Sequence, residues 1–414
     1  MQRFSLLPLA LCLSMAASAE TPTQLLWGDT HNHTGNSFDV YLFGTPTSTP
    51  ETAYRFAKGE PVINPATGTR WQIDEPLDFL VVADHAELMG AMPRLFDEKD
   101  PVLTNTKSGK EFLRLGGSKT EEALLEVYNE MQYAVYGQPT KFKVTGEEIT
   151  KDLHAGDKRA GAWAANNEAA ERHNAPGEFT ALIGWEWTSN DGGANLHRVV
   201  FMNKGADVAN KITPYSFLES GDPEDLWRWL DVQSEETGAT FVAIPHNSNI
   251  SLGLMFPEVR NNGEPVDREY AELRMRYERV VEATQIKGDS ETHPLLSPND
   301  PFADFESYDF ALTPDGTRPA PTKADYVRSG LKRGLLMDSA FGRNPFKFGL
   351  IGATDTHTGI AAIEEDNFAG KRAARQPSGQ TALSYGPWRI TRLGHESLRV
   401  RRCLGNREHS TGNR

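Results

Sequence analysis

Six short apolar runs punctuate the chain, each ending in or flanked by acids and histidines: LDFLVVADHAE (77–87), FTALIGWEWTSN (179–190), NLHRVVFMN (195–203), ATFVAIPHNSN (239–249), RVVEATQIKG (279–288) and FKFGLIGATDTH (346–357). They are continuous and rich in Val, Ile, Leu and Phe, the pattern of strands buried on both faces. Helical periodicity fills the gaps, in EEALLEVYNEMQYAVYG from Glu121, in AGAWAANNEAAERHN from Ala160 and in a helix opening at Asp222, with Pro223 at its first position. Strands alternating with helices predict an α/β architecture with a largely parallel sheet. In a (β/α) barrel the working residues sit at the C-terminal ends of the strands, where the polar clusters fall here. The polar stretch from Asp97 to Asp157 is too long for a simple connection and reads as a partly helical insertion.

Length and charge narrow this picture. A chain of 414 residues accommodates one large barrel-type domain or two ordinary ones. Residues 1–19 have one Arg, an apolar centre and an Ala17-Ser18-Ala19 ending, the form of a cleaved signal peptide, so the mature protein is expected to be periplasmic or secreted. That segment is too short for a membrane anchor, and no later stretch predicts a transmembrane segment. Cleavage would remove Cys12 and leave Cys403 alone, without an internal disulfide. The net charge is −14, yet residues 371–414 hold ten Lys/Arg against Glu396 and Glu408, so residues 20–370 are more acidic than the total suggests. Such a body is a poor partner for nucleic acid, whose binding depends on cationic contacts. From Lys371 no strand or amphipathic helix is readable, and the change of character reads either as a divergent basic tail or as a shifted reading frame. The functional domain is therefore expected over residues 20–370.

The candidate chemistry lies in the polar ends of the runs. GDTHNHT, from Gly28, places His31 and His33 two residues apart, on one face of a strand. Asp355 and His357 repeat that spacing after the last run, and His85, Glu186, His197 and His246 come between. Asp39 follows the first pair, and Asp84 and Glu87 flank His85. A lone strand-end histidine is more often structural than a ligand. Here, however, six of eleven histidines sit at or beside apolar runs and the other five lie elsewhere, a segregation that favours a site. Imidazole with carboxylate suits Zn²⁺, Mn²⁺ or Fe²⁺. The set exceeds one tetrahedral ion, so two or three divalent ions are expected, with Glu186 able to bridge. Arg198, Lys287 and Arg55 are candidates to meet a small anionic substrate.

An HxH pair, a DH, a glutamate, two separate histidines and a closing DxH, in that order, resemble the polymerase-and-histidinol-phosphatase (PHP) superfamily. The phrases GDTHNHT, AYRFAKGE, PLDFLVVADHAE, FTALIGWEWTS, PHNSNISLG and IGATDTHTG look more closely like the secreted PHP-like family catalogued as a domain of unknown function, DUF3604, over residues 25–371. The resemblance implies a distorted (β/α)7 PHP-type barrel, a di- or trinuclear metal centre and a phosphoester-cleaving activity using a water held on the ions. It implies as ligands His31, His33, Asp39, His85, Glu186, His197, His246, Asp355 and His357, with Glu186, His85 and Asp355 nearest the chemistry. Hydrolysis of an amide, lactone or sulfate ester, and a non-catalytic metal-binding protein, are the alternatives. Substrate, metal and oligomeric state are not read from the sequence.

Overall fold

Every one of the apolar runs becomes a strand, and a short strand precedes them at the first histidine pair. The computed structural model describes residues 25–65, 67–154, 159–308 and 319–362, together with the backbone of Ser384–Tyr385 and Trp388–Arg389. The expected signal peptide and most of the basic tail lie outside the described residues.

Five strands form the main sheet in chain order: β1 (Gly28–Asn32), β2 (Phe79–Val82), β3 (Thr180–Trp187), β4 (His197–Met202) and β5 (Phe241–His246). The result is mixed α/β, with this sheet curled into half a barrel. A second sheet holds β6 (Val280–Gln285), β7 (Gly288–Asp289) and β8 (Gly349–Gly352), in the order β8-β6-β7. The expectation of a largely parallel sheet is corrected at β4. β1, β2 and β3 pair parallel, but β4 is antiparallel to both β3 and β5. Its reversal puts His197, the first residue of β4, opposite His246, the last residue of β5. A histidine at the start of a run thus joins the rim formed by the ends of the others.

The predicted helices form at Glu121–Val135, Arg159–His173 and Pro223–Thr237, the last with the Asp222 side chain accepting the Glu224 N–H. Leu226, Trp227 and Leu230 of that helix are buried in the core that also holds Trp163, Trp185 and Trp187. Among the described residues, no helix is long and apolar enough to cross a membrane. The insertion is helical over Pro101–Thr104, Lys107–Gly116, Glu121–Val135 and Gly146–Leu153. Its Phe112, Leu124, Val127 and Met131 pack with Tyr41 and Leu42, which fixes the short helix Phe38–Leu42 that carries Asp39.

The first and last strand ends are tied together. The Thr354 hydroxyl donates to Asp29 Oδ2 at 2.5 Å and the Thr354 N–H to Oδ1 at 3.2 Å, while the His33 N–H donates to the Thr356 carbonyl at 2.9 Å. Within the tail, where no strand is expected, Ser384–Tyr385 pairs antiparallel with Trp388–Arg389.

The β6–β7 hairpin carries a pH-dependent element. Gly288 has φ +93°, and a Cβ there would lie 2.4 Å from Tyr308 Cβ, so only glycine fits. Next to it, burial pushes the Asp289 carboxyl up to about 7 against the pull of the Glu291 and Thr292 N–H groups. Between the ordinary carboxyl value and about 7 the folded protein holds a proton that the unfolded chain has released. Stability therefore falls as pH rises through that window, by a few kcal/mol at most. Asp289→Asn is expected to raise Tm over wild type at pH 8 and not at pH 4; an equal gain at both would contradict this account.

Candidate metal centre

The site is built around Glu186, which is fully buried at the end of β3. Its two oxygens face two different histidine pairs. Oε2 lies 3.2 Å from His31 Nε2 and 3.0 Å from His33 Nε2, and Oε1 lies 2.7 Å from His197 Nδ1 and 3.0 Å from His246 Nε2. On the other side of His33, Asp39 Oδ2 lies 2.7 Å from His357 Nε2 and 3.4 Å from His85 Nε2. Asp355 Oδ1 stands 3.4 Å from the Nε2 atoms of both His31 and His33. All nine ligand candidates are therefore in one place, from segments more than 300 residues apart.

Four trios bring ligand atoms within 4.8 Å of one another: His33–His85–His357, His31–His33–Asp355, Glu186–His197–His246 and His31–His246–Glu282. These buried groups could hold metal ions. Two observations show that they fit. His33 Nε2 and His197 Nδ1 make no hydrogen bond, although each lies within 3.0 Å of a Glu186 oxygen; atoms so placed suit a shared cation. Five of the six rings also have their other nitrogen beside an outer partner. His31 Nδ1 lies by Glu282, His33 Nδ1 by Ser37 Oγ, His85 Nδ1 by Thr188 Oγ1, His197 Nε2 by Asn190 Oδ1 and His357 Nδ1 by the Asp355 carbonyl, at 2.8–3.1 Å. Such partners fix the orientation of a ligating imidazole.

The backbone turns left-handed at two of these points. Asp355 has φ +50° and Asn247, next to His246, has φ +55°, a region that Asp and Asn enter more readily than other L-residues.

The protonation pattern is uneven. Burial pushes His197 down to about 3 and also lowers His246, so both rings are neutral and free to ligate. Burial disfavours the charge on His31 as well, but Glu282 and Asp355 outweigh it and raise the ring to about 10. Glu186 and Asp39 are held well below the carboxylate range: the surrounding histidines overcome the cost of burial.

Of the residues proposed to meet a substrate, one is at the centre. Lys287 Nζ lies 2.5 Å from Asp355 Oδ2, with 15 % of its side chain exposed. Arg198 is not at the centre. It follows His197 on β4 and so faces the other side of the sheet, where it is buried, its Nε donating to Glu278 Oε1 at 2.9 Å. Arg55 pairs with Glu60 at the surface. Asp84, one of the two acids beside His85, is a scaffold residue that accepts from the Thr34 N–H and hydroxyl, from Ser37 and from Asn166. The other, Glu87, is buried 3.3 Å from His85 Nδ1. Sequence reasoning missed Glu282, because a single acid inside an apolar run carries no histidine to mark it.

The model of a family described as a protein of unknown function (DUF3604) matches residues 20–389. The chain belongs to the DUF3604 family. The match carries the family past Lys371, the limit set by the sequence motifs. No curated protein matches the chain.

Proposed function

We propose that this DUF3604 chain is an exported, metal-dependent hydrolase of phosphoesters, on a distorted seven-stranded barrel of PHP type. Support for the barrel comes from β5 lying beside β6 and from the tie between β1 and the segment after β8, which bring the two sheets round toward one ring. The observation that carries the function is Glu186, whose two oxygens face separate histidine pairs, the arrangement of a carboxylate between two ions. When bound, divalent ions would activate a water and stabilise the oxygens of an ester under attack.

The chain's own groups supply the rest. Lys287 binds the substrate anion, exchanging its contact with Asp355 for one with a phosphoryl oxygen. Glu87, buried 3.3 Å from His85 Nδ1, orients that ring from behind. The signal-like residues 1–19 support export to the periplasm or the medium.

A panel of chromogenic phosphomonoesters, phosphodiesters, sulfate esters, lactones and amides, assayed with Mn²⁺ or Zn²⁺, tests this. Phosphoester turnover lost on chelation is expected, with KM raised about tenfold in Lys287→Ala, roughly 1.4 kcal/mol of binding. Turnover confined to the non-phosphate substrates would replace the reading with another hydrolase. Bound metal with no chelator-sensitive turnover would make the chain a metal-binding protein.

A further inference from the structure

We propose that Glu282 is a positioning residue of the centre, which fixes the His31 ring through Nδ1 so that Nε2 is presented to Glu186 and Asp355. This rests on the metal-centre reading above. Glu282 lies inside β6 and is buried, with Oε2 3.1 Å and Oε1 3.4 Å from His31 Nδ1. On the opposite edge of the ring, Nε2 lies 3.2 Å from Glu186 Oε2 and 3.4 Å from Asp355 Oδ1. The imidazole is thus held between an outer and an inner acid, and turning it over would exchange the contacts of its two nitrogens.

His31 stands on the five-stranded sheet and Glu282 on the three-stranded one, so the contact also joins the two sheets at the centre. Ser37 holds the neighbouring His33 from the same side of its ring, but through a neutral hydroxyl. A carboxylate does more: by accepting the Nδ1 proton it sets the tautomer and makes Nε2 a stronger donor to a cation. Glu282 also comes within reach of His246 in one of the four trios, but its contact is with His31 Nδ1, the ring edge away from Glu186 and Asp355, which gives it the outer role.

The test is a titration of the chelator-stripped, full-length protein with Co²⁺, followed by its visible absorption, for wild type, Glu282→Gln and Glu282→Ala. Glutamine keeps an oxygen for the Nδ1 proton and loses the charge; alanine loses both. The expected result is an unchanged number of Co²⁺ equivalents in all three proteins. Affinity should fall about tenfold in Glu282→Gln and about 100-fold in Glu282→Ala, the range for partners of ligating histidines. If alanine prevents folding, the glutamine variant carries the test alone. Loss of one equivalent in a folded variant would make Glu282 a ligand and overturn the proposal. Wild-type affinity in the folded variants would overturn it too, leaving the centre intact. A wild-type protein that binds no Co²⁺ would overturn the centre and this role together.

Discussion

Glu186→Gln is expected to empty the centre of its ions and abolish turnover while leaving the fold in place. The carboxylate touches five histidines through two oxygens. In the variant one oxygen becomes an NH₂ group, which donates where a ligand must accept, and the negative charge that would offset two cations is gone. Residues one step removed from a metal cost about 10–100-fold in affinity when altered. A carboxylate between two ions should exceed that range, with activity falling by more than about 1,000-fold. Elemental analysis against protein concentration measures the first effect and the substrate panel the second. Far-UV circular dichroism should match that of ion-free wild type, because the apolar core does not depend on this side chain. Full metal content in the variant would sink the bridging role.

The largest loss of stability is expected elsewhere, at Glu278. This buried carboxylate holds two buried arginines, Arg198 Nε at 2.9 Å and Arg274 Nη2 at 2.8 Å, and also accepts from the Trp227 indole at 3.0 Å. Arg274 in turn lies 4.8 Å from the centre of the Phe346 ring. Glu278→Ala leaves two guanidinium groups out of water with their shared partner gone, the situation that costs about 3–5 kcal/mol. For a domain of this size that lowers Tm by about 4–7 °C. Arg198→Met should cost much less, since Arg274 still neutralises Glu278, and it should leave KM for an anionic substrate unchanged. Thermal melts and Michaelis curves on the two variants check both statements. A rise in KM for Arg198→Met would return that residue to the site.

Arg198 shows where sequence reasoning goes astray. Next to a histidine in an acidic body, an arginine invites an anion; the alternation of a strand turns it to the opposite face, and its partner Glu278 is remote in sequence. The direction of β4 was equally hidden, because an apolar run reads the same either way. The nine ligand candidates were legible for the opposite reason: imidazole and carboxylate recur at the polar rims of the apolar runs, and burial on both faces leaves those rims as the place where they can meet. Asp39 joins the other candidates although it lies on a helix, held beside His357 and His85 by the insertion's Phe112 and Leu124. Glu282 had no such signal, since its meaning depends on the approach of His31 from the other sheet. The short pairing at Ser384–Tyr385 was beyond reading in a segment without apolar periodicity.

The tie between Asp29 and Thr354 sets an order on biosynthesis. A ribosome that has made His31, His33 and Glu186 still has to release the segment bearing Asp355 and His357 before two of the ligand trios exist. Contacts between such distant parts of a chain carry the greatest loop-closure cost and form late. The nascent polypeptide would therefore emerge with its first histidines unclaimed, and firm loading would wait until the whole domain has closed. Were the chain exported, as proposed above, closure on the far side of the membrane would let the ions of that compartment, rather than those of the cytoplasm, decide which metal the centre takes.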